Sequence, residues 1–306
     1  MAISLNKTVV IIVGPTAVGK TAIAIELAKH FNTDIISADS RQCFKELKIG
    51  VARPSEKELK EVKHYFIASH SIHDEMNAAV FEKFALKIID EIFITHDIAV
   101  MAGGTGLYIK AFCEGLHDIP NVDPEIRKKI ISSYSRNGLE WLQNEVKEKD
   151  SEFYQKGEMK NPQRLMRALV VKESTGNSIL SYRKGESVKR DFNIVKIGLA
   201  LPKDELHRNI NSRVDTMMNN GLLDEVKSLI PFKNLNALHT VGYSELFEYL
   251  DHRISLDEAI ERIKKNTRQY AKRQLTWFRK DKTIQWFSPK QKEMLESYAE
   301  KKCFLK

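Results

Sequence analysis

The stretch Gly14-Pro15-Thr16-Ala17-Val18-Gly19-Lys20-Thr21 has the form G-x-x-x-x-G-K-T, a phosphate loop. An apolar, β-rich run from Val9 to Val13 leads into it. Ala22 to His30, rich in alanine and isoleucine at helical spacing, leads away from it. Strand, glycine loop and helix are the context that gives this motif its meaning. The glycines let the backbone N–H groups wrap an anion, and the helix that follows points its positive end at the same place. Lys20 adds a mobile cation, and the Thr21 hydroxyl stands where it can ligate a magnesium ion bridging the phosphates. The loop therefore holds a di- or triphosphate. Which one, and for what reaction, must come from the rest of the chain.

Working outward, Asp34 to Ala38 reads as a second short strand running into Asp39-Ser40-Arg41-Gln42. In an open parallel sheet the residues just past a strand's carboxyl end face the ligand crevice, which puts Asp39 near the phosphate loop. An aspartate there also makes a good turn or cap residue. Ser55 to Val62 reads as an exposed helix. From Ala78 to Phe93, Val80, Phe84, Ile88 and Ile92 recur every four residues and predict a helix with an apolar stripe. A third strand, Ile98 to Ala102, runs into Gly103-Gly104-Thr105-Gly106. Strands alternating with helices predict an α/β fold: a P-loop nucleoside-triphosphate-hydrolase-like core whose parallel sheet is flanked by helices. A phosphoryl-transferring member of that class usually ends such a strand with an aspartate that supports magnesium. Here a threonine on a glycine-flexible turn takes that place, which weakens the ATPase and kinase readings.

Between Pro120 and Arg190 the strand pattern disappears. Pro124 to Arg136, Gly138 to Lys149 and Pro162 to Glu173 read as charged helices, an all-helical insertion domain. Ile194 to Leu201 then returns to the sheet. The domain borders read as 1–119 for the first part of the core, 120–192 for the insertion and 193–306 for the rest of the core. Within the insertion, Arg164 and Arg167 share a helix face, a pattern common on solvated surfaces. Asp204 to Asn219 forms a helix with Gly221 as its stop. Its arginines, Arg208 and Arg213, can reach the phosphates or sit in surface ion pairs. The helix Leu256 to Phe278 has a core side traced by Ile260, Ile263, Tyr270 and Ala271. A basic row of Lys264, Arg268 and Lys272 runs beside it, followed by Trp277 and Phe278. Basic residues with aromatic neighbours suit a nucleic acid, and equally a solvated face.

The chain has 306 residues, 42% hydrophobic and 29% charged, with a formal net charge of +8. That composition is ordinary for a globular protein, and the basic excess permits a polyanionic partner. Cys43, Cys113 and Cys303 are scattered without metal-ligand spacing, as expected in a reducing compartment. The apolar run before the phosphate loop is too short for a signal peptide, and no stretch approaches a membrane span. A cytoplasmic protein is expected.

Taken together, G-P-T-A-V-G-K-T, A-D-S-R-Q, G-G-T-G-L-Y, N-P-Q-R-L-M-R-A-L, V-G-Y and K-R-Q-L-T-W-F-R resemble the tRNA dimethylallyltransferase (tRNA isopentenyltransferase, or IPP transferase) family, in its bacterial form. The match runs in order from about residue 8 to about residue 280, and the middle motifs are specific to the family. The resemblance implies transfer of a dimethylallyl group from dimethylallyl diphosphate to N6 of adenosine-37 in tRNAs that read codons beginning with U. The products are N6-dimethylallyladenosine and diphosphate. The phosphate loop, Gly14 to Thr21, would then hold an isoprenoid diphosphate, with Mg2+ on Thr21 and Arg213 clamping the diphosphate. By motif, Asp39 is the base and Thr105 lies at the reaction centre. Asp39, Ser40, Arg41, Gln42, Thr105, Arg127, Gln163, Arg164, Leu165, Met166 and Arg167 contact the anticodon stem-loop of the tRNA. A monomer is expected, with no membrane partner. Val51, Arg53 and Phe44 depart from the family's usual threonine, lysine and tyrosine. An adenylate isopentenyltransferase acting on a free nucleotide and a P-loop nucleotide kinase are the alternatives. The first has no need of the insertion, and the second is weakened by the missing aspartate.

Overall fold

The computed structural model describes residues 7–116, 122–183 and 188–304. The chain divides into two compact units, Met1–Glu114 with Lys189–Lys306, and Gly115–Val188.

The first unit is built on six described strands, β1 (Thr8–Val13), β2 (Ile35–Ser37), β3 (His64–Tyr65), β4 (Ile98–Gly103), β5 (Asn193–Leu199) and β6 (Gln285–Phe287). They form one sheet in the order β3-β2-β4-β1-β5-β6, with every pairing parallel. β1 is central and fully buried, which is why it reads as an unbroken apolar run rather than an alternation. Its residues still face opposite sides. Val9, Ile11 and Val13 pack into one layer, and Val10 and Ile12 into the other.

The helices of this unit are α1 (Lys20–His30), α2 (Glu56–Glu61), α3 (Ala78–Phe93) and α4 (Gly106–Glu114) before the insertion. The insertion contributes α5 (Pro124–Lys149), α6 (Ser151–Lys156) and α7 (Pro162–Thr175). The core resumes with α8 (Lys203–Asn219), α9 (Leu222–Ser228), α10 (Tyr243–Leu250), α11 (Leu256–Phe278) and α12 (Lys292–Phe304). Residues of α3, α4, α9 and α10 share the Val9 layer, those of α1 and α12 share the Val10 layer, and α8 and α11 contribute to both.

Register fixes the site. Val13 of β1 sits opposite Gly103 of β4 and Gly198 of β5, and Ser37 of β2 sits opposite Ala102. The carboxyl ends of β2, β4 and β1 therefore lie level and side by side. The loops that follow them carry Asp39, Thr105 and the phosphate loop.

Two local expectations are corrected. On α3 the buried side chains are Ala78, Phe81, Ala85, Ile88, Ile89 and Ile92, while Val80 is 36% exposed. A strict four-residue step gains about 40° per repeat on a helix of 3.6 residues per turn, so the stripe starts outside the core face at Val80 and reaches it only at Ile88 and Ile92. On α11, Tyr270 is likewise outside, and the inward face is Ala259, Ile263, Ala271, Gln274 and Phe278.

The second unit, among the described residues, is all helix. Ile130, Leu142, Val146, Phe153, Leu165 and Leu169 fill its core. α5 is two helices in succession, as expected: they meet at Gly138, whose φ of 76° and ψ of −167° break the helical path. The insertion ends at Val188 rather than at 192 because Arg190 belongs to the sheet unit. Its guanidinium pairs with Glu82 at 2.6 Å and donates to the carbonyls of Ala111 and Phe112. The border expected at 119–120 falls in 117–121, outside the described residues.

Candidate active site

The phosphate loop turns out of β1 at Gly14, whose φ is 150° and whose position allows no side chain. A Cβ there would stand 2.7 Å from the Leu199 carbonyl of β5. Gly19, at φ 99°, turns the chain into α1. Lys20 opens that helix and folds its ammonium over the loop, donating to the carbonyls of Gly14 at 3.1 Å and Pro15 at 2.8 Å. Burial pulls the Lys20 ammonium down to about 8; the Asp39 carboxylate opposes that shift and the Arg213 guanidinium adds to it. Thr21 follows it on α1, half-buried. From α8, Arg213 donates to the Thr16 hydroxyl at 3.4 Å, and Asn209 donates to the Ala17 carbonyl at 3.4 Å. Burial also lowers the Arg213 pKa, against the pull of Asp39. Beside the loop opens a cavity of about 760 Å³, lined by Val18, Ile49, Leu201 and Met217 as well as by Asn209 and Arg213. A charged clamp thus borders an apolar wall.

Asp39 lies past the end of β2. Its Oδ1 accepts the backbone N–H groups of Arg41 at 2.9 Å and Gln42 at 3.2 Å. The aspartate holds the turn and also stands close enough to the phosphate loop for its charge to act on Lys20, and Oδ2 takes no part in the turn. Thr105 caps the start of α4. Its hydroxyl accepts the Ser40 N–H at 3.0 Å and donates to the Ser40 hydroxyl at 3.4 Å, and its own N–H donates to the Ala38 carbonyl. These bonds lock the turns after β2 and β4 together. The Gln42 amide reaches inward to the carbonyls of Val51 and Ala52, at 3.2 and 3.0 Å. Ser40 and Arg41 are half-exposed at the rim.

The glycines around Thr105 are not there for flexibility, as their sequence suggested. None of Gly103, Gly104 and Gly106 has a positive φ. Each permits a close approach instead. A Cβ would meet the Ala38 carbonyl oxygen, the Gln274 amide and the Trp277 indole nitrogen respectively, each at 2.2 Å. The Gln274 contact is one that reading the sequence missed. This buried α11 side chain accepts the Thr16 N–H at 2.8 Å and donates to the Gly104 carbonyl at 2.9 Å. A glutamine inside the apolar face of an amphipathic helix was the available signal.

The other expected contacts lie on the second unit. Arg127, Gln163, Arg164 and Arg167 are exposed on α5 and α7, with Arg164 paired to Glu158 at 2.8 Å. Leu165 and Met166 are 0% and 7% exposed, so their side chains belong to the unit's core and serve the surface only by anchoring α7. On α11 the basic row is partly spent within the protein. Lys264 pairs with Asp215, and Arg268 donates to the Asn211 side chain on α8. Lys272, Arg273 and Trp277 remain exposed.

Comparison with known proteins agrees with this arrangement. The family model described as IPP transferase matches residues 42–281. The tRNA dimethylallyltransferase of Cytophaga hutchinsonii is 44% identical over 298 residues, covering 97% of this chain and 98% of that protein. The one of Christiangramia forsetii is 49% identical over 276 residues, covering 90% and 91%. Among solved structures, the tRNA isopentenylpyrophosphate transferase of Bacillus halodurans superposes with a TM-score of 0.72 at 33% identity, covering 97% of both chains. A eukaryotic dimethylallyltransferase described as acting on tRNA gives 0.74 at 25% identity over 89% of this chain and 69% of its own. The chain belongs to the IPP transferase family, the tRNA dimethylallyltransferases.

Proposed function

We propose that this protein transfers a dimethylallyl group from dimethylallyl diphosphate to N6 of adenosine-37 in tRNA, through the residues assembled on β1, β2 and β4. The carrying observation is that the diphosphate loop and the Asp39–Thr105 turns stand level on neighbouring strands and are joined by hydrogen bonds. A bond between a prenyl carbon and a nucleobase nitrogen needs those two sites side by side.

In this reading the loop amides, Lys20 and Arg213 hold the diphosphate and stabilise the charge that builds as the carbon–oxygen bond breaks. The apolar wall of Val18, Ile49, Leu201 and Met217 receives the prenyl chain. An exocyclic adenine amine is a weak nucleophile because its lone pair is delocalised into the ring. Asp39 accepts the N6 proton as the new carbon–nitrogen bond forms, an effect worth roughly a hundred- to ten-thousand-fold. Thr105 and Ser40 position the adenine beside it. Reaching this pocket requires the base to leave its stack, which is least costly in a single-stranded loop. Arg127, Gln163, Arg164 and Arg167 contribute contacts to the anticodon stem-loop from the helical unit.

The donor set fits Mg2+. One hydroxyl, Thr21, beside a diphosphate is the sparse, all-oxygen environment this ion takes, keeping its remaining waters. When bound it neutralises charge on the departing diphosphate. No described helix is long and apolar enough to cross a membrane, and the reading includes a monomer working on the cytoplasmic tRNA pool.

The test is incubation with labelled dimethylallyl diphosphate and tRNA carrying adenosines at 36 and 37, with AMP and ATP as competing substrates. Label on tRNA alone is the expected result. Label on AMP, or phosphoryl transfer from ATP, refutes the reading.

A further inference from the structure

We propose that Gln274 is a positioning residue for the transfer, a strut that sets the distance between the diphosphate cradle and the adenine pocket. This rests on the transfer reaction proposed above and assigns a part of it to a side chain that touches neither substrate.

The geometry is specific. Gln274 is 6% exposed, and the two ends of its amide reach two different loops. Its Oε1 takes the Thr16 N–H of the phosphate loop, and its Nε2 gives a proton to the Gly104 carbonyl, one residue before Thr105. Thr16 in turn receives Arg213 on its hydroxyl, and Thr105 holds Ser40 of the Asp39 turn. One continuous chain of bonds therefore runs Arg213, Thr16, Gln274, Gly104, Thr105, Ser40. Its first half handles the leaving group and its second half handles the nucleophile. Sheet pairing levels the strand ends, but these groups lie beyond the last paired residues, Val13 and Gly103. Past that point Gln274 joins the two loops directly. The absence of a Cβ at Gly104 is part of the device, since a methyl there would sit 2.2 Å from the Gln274 Nε2.

A strut of this kind acts on the reaction more than on binding. Each substrate keeps its own contacts when the strut is cut, but their reacting atoms lose alignment. A displacement of about 1 Å costs on the order of a hundredfold in rate.

The experiment compares Gln274→Met, which keeps the shape and loses both hydrogen bonds, with Gly104→Ala, which retains the Gln274 amide but displaces it. Single-turnover rates at saturating dimethylallyl diphosphate and tRNA are measured alongside the equilibrium Kd of each substrate and the unfolding midpoint. Both variants are expected to lose about a hundredfold in single-turnover rate with each Kd within about threefold of wild type. The double variant should be no slower than the worse single one, because both cut the same strut. Should Gln274→Met fail to fold, Gln274→Glu decides. Its carboxylate accepts from Thr16 but repels the Gly104 carbonyl, and protonation restores the donor. Its rate relative to wild type should therefore recover as pH falls. A rate within threefold of wild type in the folded variants, or a loss appearing in donor Kd instead, overturns the proposal. A flat ratio of Gln274→Glu to wild type across pH overturns it as well. If the wild-type protein itself transfers no prenyl group to tRNA, the underlying reading fails, and that outcome is distinct from all of these.

Discussion

Glu225 on α9 holds the backbone of Lys48, Ile49 and Gly50, the first two of which line the cavity, and replacing it with glutamine tests how rigid that wall is. Its Oε2 accepts the N–H groups of Lys48 and Ile49, at 3.1 and 2.7 Å. Its Oε1 accepts the N–H of Gly50 at 3.0 Å and the Tyr243 hydroxyl at 2.6 Å. Burial, and then the Glu225 charge, push the Tyr243 hydroxyl far above its ordinary range, so it acts as a donor throughout the working pH range. Arg53 completes the clamp from the other side, its Nη2 donating to the carbonyls of Phe44, Lys45 and Leu47. That use of a guanidinium gives the Arg53 departure a structural reason. In Glu225→Gln the amide can still serve Gly50 and Tyr243 through its oxygen, but its NH2 faces two backbone donors. Losing two hydrogen bonds to a charged acceptor, at about 1.5–3 kcal/mol each, predicts a loss of about 3–6 kcal/mol. Half-exposure of Glu225 favours the lower figure. Urea unfolding followed by tryptophan fluorescence measures it. Because Lys48, Ile49, Ala52 and Arg53 line the cavity, the KM for dimethylallyl diphosphate should rise as well. A stability change below about 1 kcal/mol with unchanged KM would refute the reasoning, since the carboxylate would then be dispensable to the loop.

Asp39→Asn should keep the turn, because its side-chain oxygen still accepts from Arg41 and Gln42, while turnover falls about a hundredfold or more at unchanged tRNA affinity; near-normal turnover excludes Asp39 as the base. With Lys20 brought down to about 8, donor affinity measured by calorimetry should weaken as pH rises past about 8, and a constant affinity to pH 9.5 would remove Lys20 from the clamp. The same lowered pKa means that between about 8 and 10.5 the unfolded chain holds a proton the ligand-free folded one lacks, so this group's contribution to stability increases with pH across that window. Arg167→Ala should weaken tRNA binding and reduce the slope of log affinity against log salt by roughly 0.7 to 0.9, without altering the donor Kd; parallel salt titrations would take Arg167 out of the interface. Leu165→Ala, at a fully buried position, should cost about 2–5 kcal/mol in the helical unit, read by loss of far-ultraviolet ellipticity at lower denaturant.

The sequence alone determined the class of the fold and the place of its phosphate-loop motif. A phosphate loop between a β-rich run and a helix is a local pattern, and backbone geometry over eight residues is decided by local glycines and by the start of a helix. The alternation of strands and helices, and the loss of strand pattern in the insertion, were legible for the same reason. What the sequence left open depended on which atoms meet across long separations. Whether Asp39 served a turn or faced the crevice could not be settled by spacing; it holds the turn after β2, and strand order β2-β4-β1 brings that turn near the phosphate loop. Three glycines that looked flexible proved to be contact points for Ala38, Gln274 and Trp277, two of which arrive from more than 160 residues away. Two of the three residues in a basic row that looked ready for RNA, Lys264 and Arg268, were already spent on α8. Gln274 carries the sharpest case. Its type and spacing describe a polar residue on a helix, and only the packing of α11 beneath two loops turns its amide into a link between them. Hydrogen bonds of that kind are short and directional, so they exist or vanish with the tertiary arrangement and leave almost no trace in sequence pattern.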